Sequence, residues 1–214
     1  IVSNGDVGYH GRSEKDRLNM TGTTHGSIEC INGQWYVFYH RLTHKSDYSR
    51  QACAEPITIL PDGSIPQVEI TSCGLNGKPL HGTGTYPAVI ACNITNGHMP
   101  HGSNKIYTDS FPNATHCGED RFIGEIQDGT MLGHKYFAFS GAKEIGVQYR
   151  GSCNGKFVVS DDMDGKNIVA EIPVAPADAW TESRAPLHIS DGTHPLYLFY
   201  RGDGEAAVKE LYLA

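Results

Sequence analysis

Two β-rich runs, Ser27-Ile28-Glu29-Cys30-Ile31 and Gln34-Trp35-Tyr36-Val37-Phe38-Tyr39-His40, flank the dipeptide Asn32-Gly33. Asn-Gly fills the two left-handed positions of a type I′ turn, whose twist matches that of paired strands. The stretch therefore reads as a β-hairpin. Similar punctuation continues along the chain, whose 214 residues include 25 Gly and 11 Pro. These are spread throughout rather than pooled in a linker, which suits many short strands joined by tight turns. Helical periodicity is absent.

Residues 1–24 read as polar and irregular, with the alternating charges from Arg12 to Arg17 forming a solvated loop. A third strand is expected over roughly 51–60, ending at the turn sequence Pro61-Asp62-Gly63, with short strands at 67–71 and 88–94. Apolar content falls from 95 to 104, where a boundary or exposed loop is expected. Beyond it, strands are expected at 121–126, 134–139, 144–150, 156–160, 167–172, 181–189, 195–201 and 207–213. About eight strands in roughly 110 residues is the rhythm of a β-sandwich.

Charge and cysteines narrow the function classes. Lys and Arg number 17 against 24 Asp and Glu, a formal net charge of −7. With no basic cluster in the sequence, nucleic acid is not an expected partner. No apolar run approaches the roughly 18 residues of a membrane span, so no membrane partner is expected either. The 6 cysteines are too scattered for a disulfide scaffold, and none forms the C-x-x-C pair of a zinc or redox site. The chain opens on Ile1-Val2-Ser3 without a basic or apolar leader, and its compartment is left open.

Thr24-His25-Gly26-Ser27-Ile28-Glu29, then Asn32-Gly33-Gln34-Trp35-Tyr36-Val37-Phe38-Tyr39-His40-Arg41 and Ser49-Arg50-Gln51, resemble the last blade of glycoside hydrolase family 43. The resemblance extends through Thr71-Ser72-Cys73-Gly74-Leu75-Asn76-Gly77 and Gly84-Thr85-Tyr86-Pro87-Ala88. The second half, around Asp128-Gly129-Thr130 and Gly133-His134-Lys135-Tyr136-Phe137, is similar to a family 6 carbohydrate-binding module. Together these imply an all-β chain: a partial β-propeller (last blade and exit strands) over 1–104, and a jelly-roll-like β-sandwich module over 105–214. They also imply part of an inverting β-xylosidase or α-L-arabinofuranosidase acting on arabinose- or xylose-containing plant polysaccharide. Inversion needs a general acid and a general base about 6.5–9.5 Å apart. In the family these carboxylates come from earlier blades, and nothing here matches them. No catalytic residue is therefore expected in this chain, and an upstream segment or chain completing the propeller is implied as a partner.

The resemblance also nominates site residues. His25 matches a histidine on the propeller axis near a bound calcium, which prefers oxygen ligands and would be reached through water. The alternative is a loop histidine preceding a strand. Arg50 matches an arginine of the −1 subsite, where a planar guanidinium can hold sugar hydroxyls or a carboxylate; the alternative is a strand-end salt bridge. Trp180, in the loop-like stretch Ala175-Pro176-Ala177-Asp178-Ala179-Trp180, and Phe122 match sugar-binding aromatics of family 6 modules. Two such faces can clamp a pyranose ring; otherwise they cap the core. Ile106-Tyr107-Thr108-Asp109 keeps one of two acidic positions of that module's structural calcium site. Asp6 and Glu55 are assigned no catalytic role, and Pro100 between His98 and His101 argues against a preorganised metal site. The competing readings are a non-catalytic carbohydrate-binding protein and a structural sandwich appendage.

Overall fold

The computed structural model describes residues 1–22, 24–102 and 105–214. Its regular structure is all β, with only single-turn 3-10 segments besides strands among the described residues. The hairpin forms as expected from β1 (Ser27–Ile31) and β2 (Gln34–Thr43), with Asn32 and Gly33 both at positive φ (51° and 83°). β3 (Ser46–Ile57) completes a three-stranded antiparallel sheet and begins earlier than expected. Its turn from β2 is another two-residue connection, made by His44 (φ 57°) and Lys45 (φ 50°). Non-glycine residues rarely occupy this region, and tertiary bonds hold them there. The His44 amide donates to the Ala114 carbonyl at 2.9 Å, and the Tyr107 amide to the Lys45 carbonyl at 2.8 Å.

The remaining strands are β4 (Leu80–His81), β5 (Gly84–Pro87), β6 (Asn93–Thr95), β7 (Asn113–Cys117), β8 (Asp120–Ile126) and β9 (Met131–Phe139). They continue with β10 (Glu144–Gly151), β11 (Asn154–Ser160), β12 (Ile168–Val174), β13 (Ala177–Pro186), β14 (Gly192–Asp203) and β15 (Ala206–Leu213). They form two six-stranded sheets. One runs β13-β10-β15-β8-β7 with β5 beside β15; the other runs β12-β11-β14-β9-β4 with β6 beside β9. Between them lies a closely packed apolar core including Ile123, Phe137, Ile145, Phe157, Leu196 and Leu211. Strand alternation places these side chains inward, as in sheet-on-sheet packing.

Several local expectations are revised. The 67–71 stretch is not a strand; side chains hold it instead. Asp6 Oδ1 accepts from the Ile70 amide at 2.8 Å, and Glu55 Oε1 from the Thr71 amide at 2.7 Å. The expected strand at 88–94 is a 3-10 turn, Ala88–Ile90, followed by β6. Residues 12–17 stay largely at the surface as expected, while Asn4, Asp6, Leu18, Asn19 and Met20 on either side of them are buried. In the 95–104 stretch Met99 is buried, while Ser103 and Asn104 lie outside the described residues. Strands β4 to β6 pair with sandwich strands, so the two large sheets take in residues on the N-terminal side of position 105.

Candidate functional site

The outer face of the β8-bearing sheet carries the first grouping. Alternation on β8, β10 and β13 turns Phe122, Arg150 and Trp180 away from the core. Trp180 thus lies on a strand, β13, rather than in a loop as expected. Its ring and that of Phe122 meet edge to face, with centroids 5.4 Å apart. That is a contact distance between rings, so the two do not clamp a sugar between them. The Arg150 guanidinium covers both rings, 4.4 Å from the Trp180 centroid and 5.2 Å from that of Phe122. Trp180 Nε1 donates to Asp120 Oδ2 at 2.8 Å, and Lys209 Nζ lies 2.6 Å from Asp120 Oδ1. Lys209 and Trp180 together hold the Asp120 carboxyl below its ordinary range.

Phe122 and Arg150 line a groove of about 670 Å³ across this face, with Asn113, Glu125, Asp178 and Glu205 as polar walls. Small residues keep it open. A Cβ on Gly124 would sit 3.3 Å from Phe122 Cε2. The β2–β3 turn closes one end, where Lys45 Nζ pairs with Glu125 Oε1 at 2.7 Å. Arg150 was missed in the sequence; its place opposite two outward aromatics becomes visible only once the strand register is known.

The second grouping is on the three-stranded sheet. His25 and Arg50 are brought together through His40. The His25 and His40 rings are 5.2 Å apart, and Arg50 Nε lies 3.1 Å from His40 Nε2. Both His25 and Arg50 are exposed. Calcium takes six to eight oxygen ligands, and among the described residues no group of three or more His, Cys, Asp or Glu could hold a metal ion.

Glu55 is the most perturbed carboxyl of this part of the chain. It is 1% exposed, and burial pushes its pKa up to about 7 against the hydrogen bonds of Thr71 and Tyr39. Thr71 Oγ1 donates to Oε2 at 2.6 Å, and Tyr39 Oη to Oε1 at 3.1 Å. With both oxygens engaged and no solvent access, Glu55 straps β3 to the 70–72 segment and is poorly placed for proton transfer to a ligand.

No protein-family model matches the chain. Its fold belongs to a recognisable class, a propeller-type sheet joined to a carbohydrate-binding-module sandwich. Over its whole length it resembles a glycoside hydrolase family 43 arabinoxylan arabinofuranohydrolase from Bacillus subtilis, solved with cellotetraose. The TM-score is 0.58 at 16% identity, covering 43% of that chain. The sandwich resembles a family 6 carbohydrate-binding module from Clostridium cellulolyticum, solved with xylose, at TM-score 0.52 and 14% identity over 63% of this chain and 98% of that one. In sequence the particular relative is a xylosidase/arabinosidase of Thermoclostridium stercorarium, 42% identical over 227 aligned positions. The alignment takes in 100% of this chain and 47% of the relative, so the chain spans about half the length of the curated protein it matches. The chain is thus homologous to part of a xylosidase/arabinosidase, and its fold combines those of the two families that the sequence resembles.

Proposed function

We propose that the chain is part of an inverting glycoside hydrolase acting on arabinose- or xylose-containing plant polysaccharide, with its sandwich holding glycan to the enzyme. The observation that carries this reading is the 42% identity to a xylosidase/arabinosidase along the whole chain. The catalytic carboxylates lie outside this chain. The engagement of its buried acids supports that view, since Asp6 and Glu55 are consumed by internal hydrogen bonds. Arg50, with His40 and His25 behind it, would face the −1 subsite once the remaining blades are in place. A calcium ion near His25 would draw its oxygen ligands largely from those blades, with His25 acting through water.

The glycan lies in the groove beside Phe122. The ring offers one apolar face, while Asn113, Glu125, Asp178 and Glu205 offer partners for hydroxyls. Trp180 buttresses Arg150 from behind rather than forming half of a clamp. One stacking face with few convergent polar groups gives about −4 to −6 kcal/mol, a Kd from sub-millimolar to millimolar.

The test is titration of the 214-residue chain with xylo- and arabino-oligosaccharides, followed by tryptophan fluorescence and by calorimetry. Phe122→Ala is expected to weaken binding about tenfold, the worth of one aromatic contact. Trp180→Ala is expected to weaken it less, through loss of Arg150 placement. The same chain is expected to release no pentose from aryl xylosides or arabinosides, because proton transfer to the leaving oxygen has no donor. Hydrolysis by a mass-verified sample, or binding that ignores Phe122→Ala, would each overturn its half of the reading.

A further inference from the structure

A second pocket, of about 560 Å³, lies where the three-stranded sheet meets the sandwich. It is bounded by the β2–β3 hairpin on one side and the β7–β8 hairpin on the other. Its ionisable lining is entirely basic: Arg50 from β3, Arg121 from β8, and the imidazoles of His44 and His116, of which His44 is held towards its neutral form by burial and by His116. No Asp or Glu lines it, in a chain whose formal net charge is −7. The basic side chains are held by structure rather than scattered. His44 Nε2 lies 2.5 Å from His116 Nδ1, while His44 Nδ1 is 2.8 Å from Ser49 Oγ and 2.9 Å from Thr43 Oγ1. The turn that presents His44 is the one kept at positive φ by its bond to Ala114. In the β7–β8 hairpin His116 sits directly opposite Arg121. Four basic side chains from two separate hairpins thus converge on one cavity.

The rest of the lining suits a sugar. Thr115 adds a partner for hydroxyls, and Ala52, Val89 and Ala114 add a patch for the C–H face of a ring. The volume falls within the roughly 300–1,000 Å³ of small-molecule sites. Guanidinium groups bind carboxylates through paired, charge-assisted hydrogen bonds. The pocket also shares His44 and Thr115 with the groove beside Phe122, so the two cavities adjoin.

We propose that this pocket takes the carboxylate of an acidic sugar, a uronic acid carried as a branch on the polysaccharide whose backbone occupies the adjoining groove. The inference rests on the glycan-binding reading above and adds the substrate's charge to it. Arg121, with His116 opposite it in the β7–β8 hairpin, holds the carboxylate, and the hydroxyl-bearing walls distinguish a sugar acid from a bare inorganic anion.

Calorimetric titration of the full chain at fixed ionic strength tests this with xylotetraose carrying one glucuronic acid branch, unbranched xylotetraose, and inorganic phosphate. The branched probe is expected to bind at least about tenfold more tightly than the unbranched one, the worth of one charge-assisted hydrogen bond. Arg121→Gln, at an exposed position, should remove that difference and leave the unbranched affinity unchanged, with Arg121→Lys recovering part of it. Equal affinity for both sugars would overturn the acidic pocket while leaving the glycan reading intact. Failure of both sugars to bind would overturn the two together. Phosphate binding as tightly as the branched sugar would make this a small-anion site, and a preference that survives Arg121→Gln would place the carboxylate elsewhere; either result overturns the proposal.

Discussion

Glu55 shows how one buried carboxyl writes itself into the pH dependence of the whole chain. Its folded pKa of about 7 stands above the 4.5 of the free side chain, because burial outweighs the hydrogen bonds that favour the anion. Below the lower value both folded and unfolded states hold the proton, and the stabilising effect is fully present. As pH rises from 4.5 to 7 the unfolded state releases its proton first, and about 3 kcal/mol of stability is lost. His134, 1% exposed, has the opposite sign: burial lowers its pKa to about 4, so its contribution is lost as pH falls. In the parent these two contributions oppose each other over the shared pH range. Glu55→Gln isolates one of them. Its amide oxygen can still accept from the Thr71 amide and Tyr39, and its NH₂ can donate to Thr71 Oγ1. The melting temperature of the variant, minus that of the parent, is expected to climb between pH 4.5 and 7 by about 5–10 °C for a chain of this size. A flat difference would mean that Glu55 is ionised throughout.

At the scale of elements, strands bounded by turn chemistry were legible and strands made by tertiary pairing were not. Asn32-Gly33 announces its hairpin because the residues themselves favour the left-handed turn. His44-Lys45 makes an equally tight turn with no such signature, since its conformation is held by bonds to Ala114 and Tyr107. β4, β5 and β6 are two to four residues long and exist as edge partners of β9 and β15. No periodicity can reveal strands that short. The same division applies to the sites. His25, Arg50, Phe122 and Trp180 could be nominated one at a time, whereas Arg150, Arg121 and the His44–His116 contact depend on which strands adjoin. The short strands carry a consequence for where the sandwich can be cut. Ala88, Val89, Ala91 and Ile94 belong to its core, so a fragment of residues 105–214 lacks part of its own interior. A fragment of 80–214 is expected to unfold cooperatively, and the 105–214 fragment to melt at least 10 °C lower, by about 3 kcal/mol or more of lost apolar burial. Equal melting curves in circular dichroism would show that β4 to β6 are dispensable.

Across the whole molecule, the N-terminal third and the sandwich are tied by a buried ion cluster centred on β9. Lys135 is fully buried on the outer face of that strand, with Nζ 2.8 Å from Glu69 Oε1 and 3.3 Å from Asp6 Oδ2. Tyr136 Oη donates to Glu69 Oε2 at 2.7 Å, and the Ser72 amide to the Lys135 carbonyl. Asp6, itself 2% exposed, also accepts from the Ile70 amide. A buried pair of this kind is weak evidence for net stability, because desolvation offsets most of the attraction. Its asymmetry is the informative property. Lys135→Met keeps the volume but strands Asp6 without its cation, and is expected to cost about 3–5 kcal/mol in chemical denaturation. Adding Asp6→Asn removes the stranded charge, and asparagine tolerates the positive φ of 54° at that position. The double variant is therefore expected to recover most of the loss, with a coupling energy of about 2 kcal/mol or more in the double-mutant cycle. Single-variant losses that simply add would show that the cluster does not couple the two parts, and that packing alone holds the blade-like sheet and the sandwich in register.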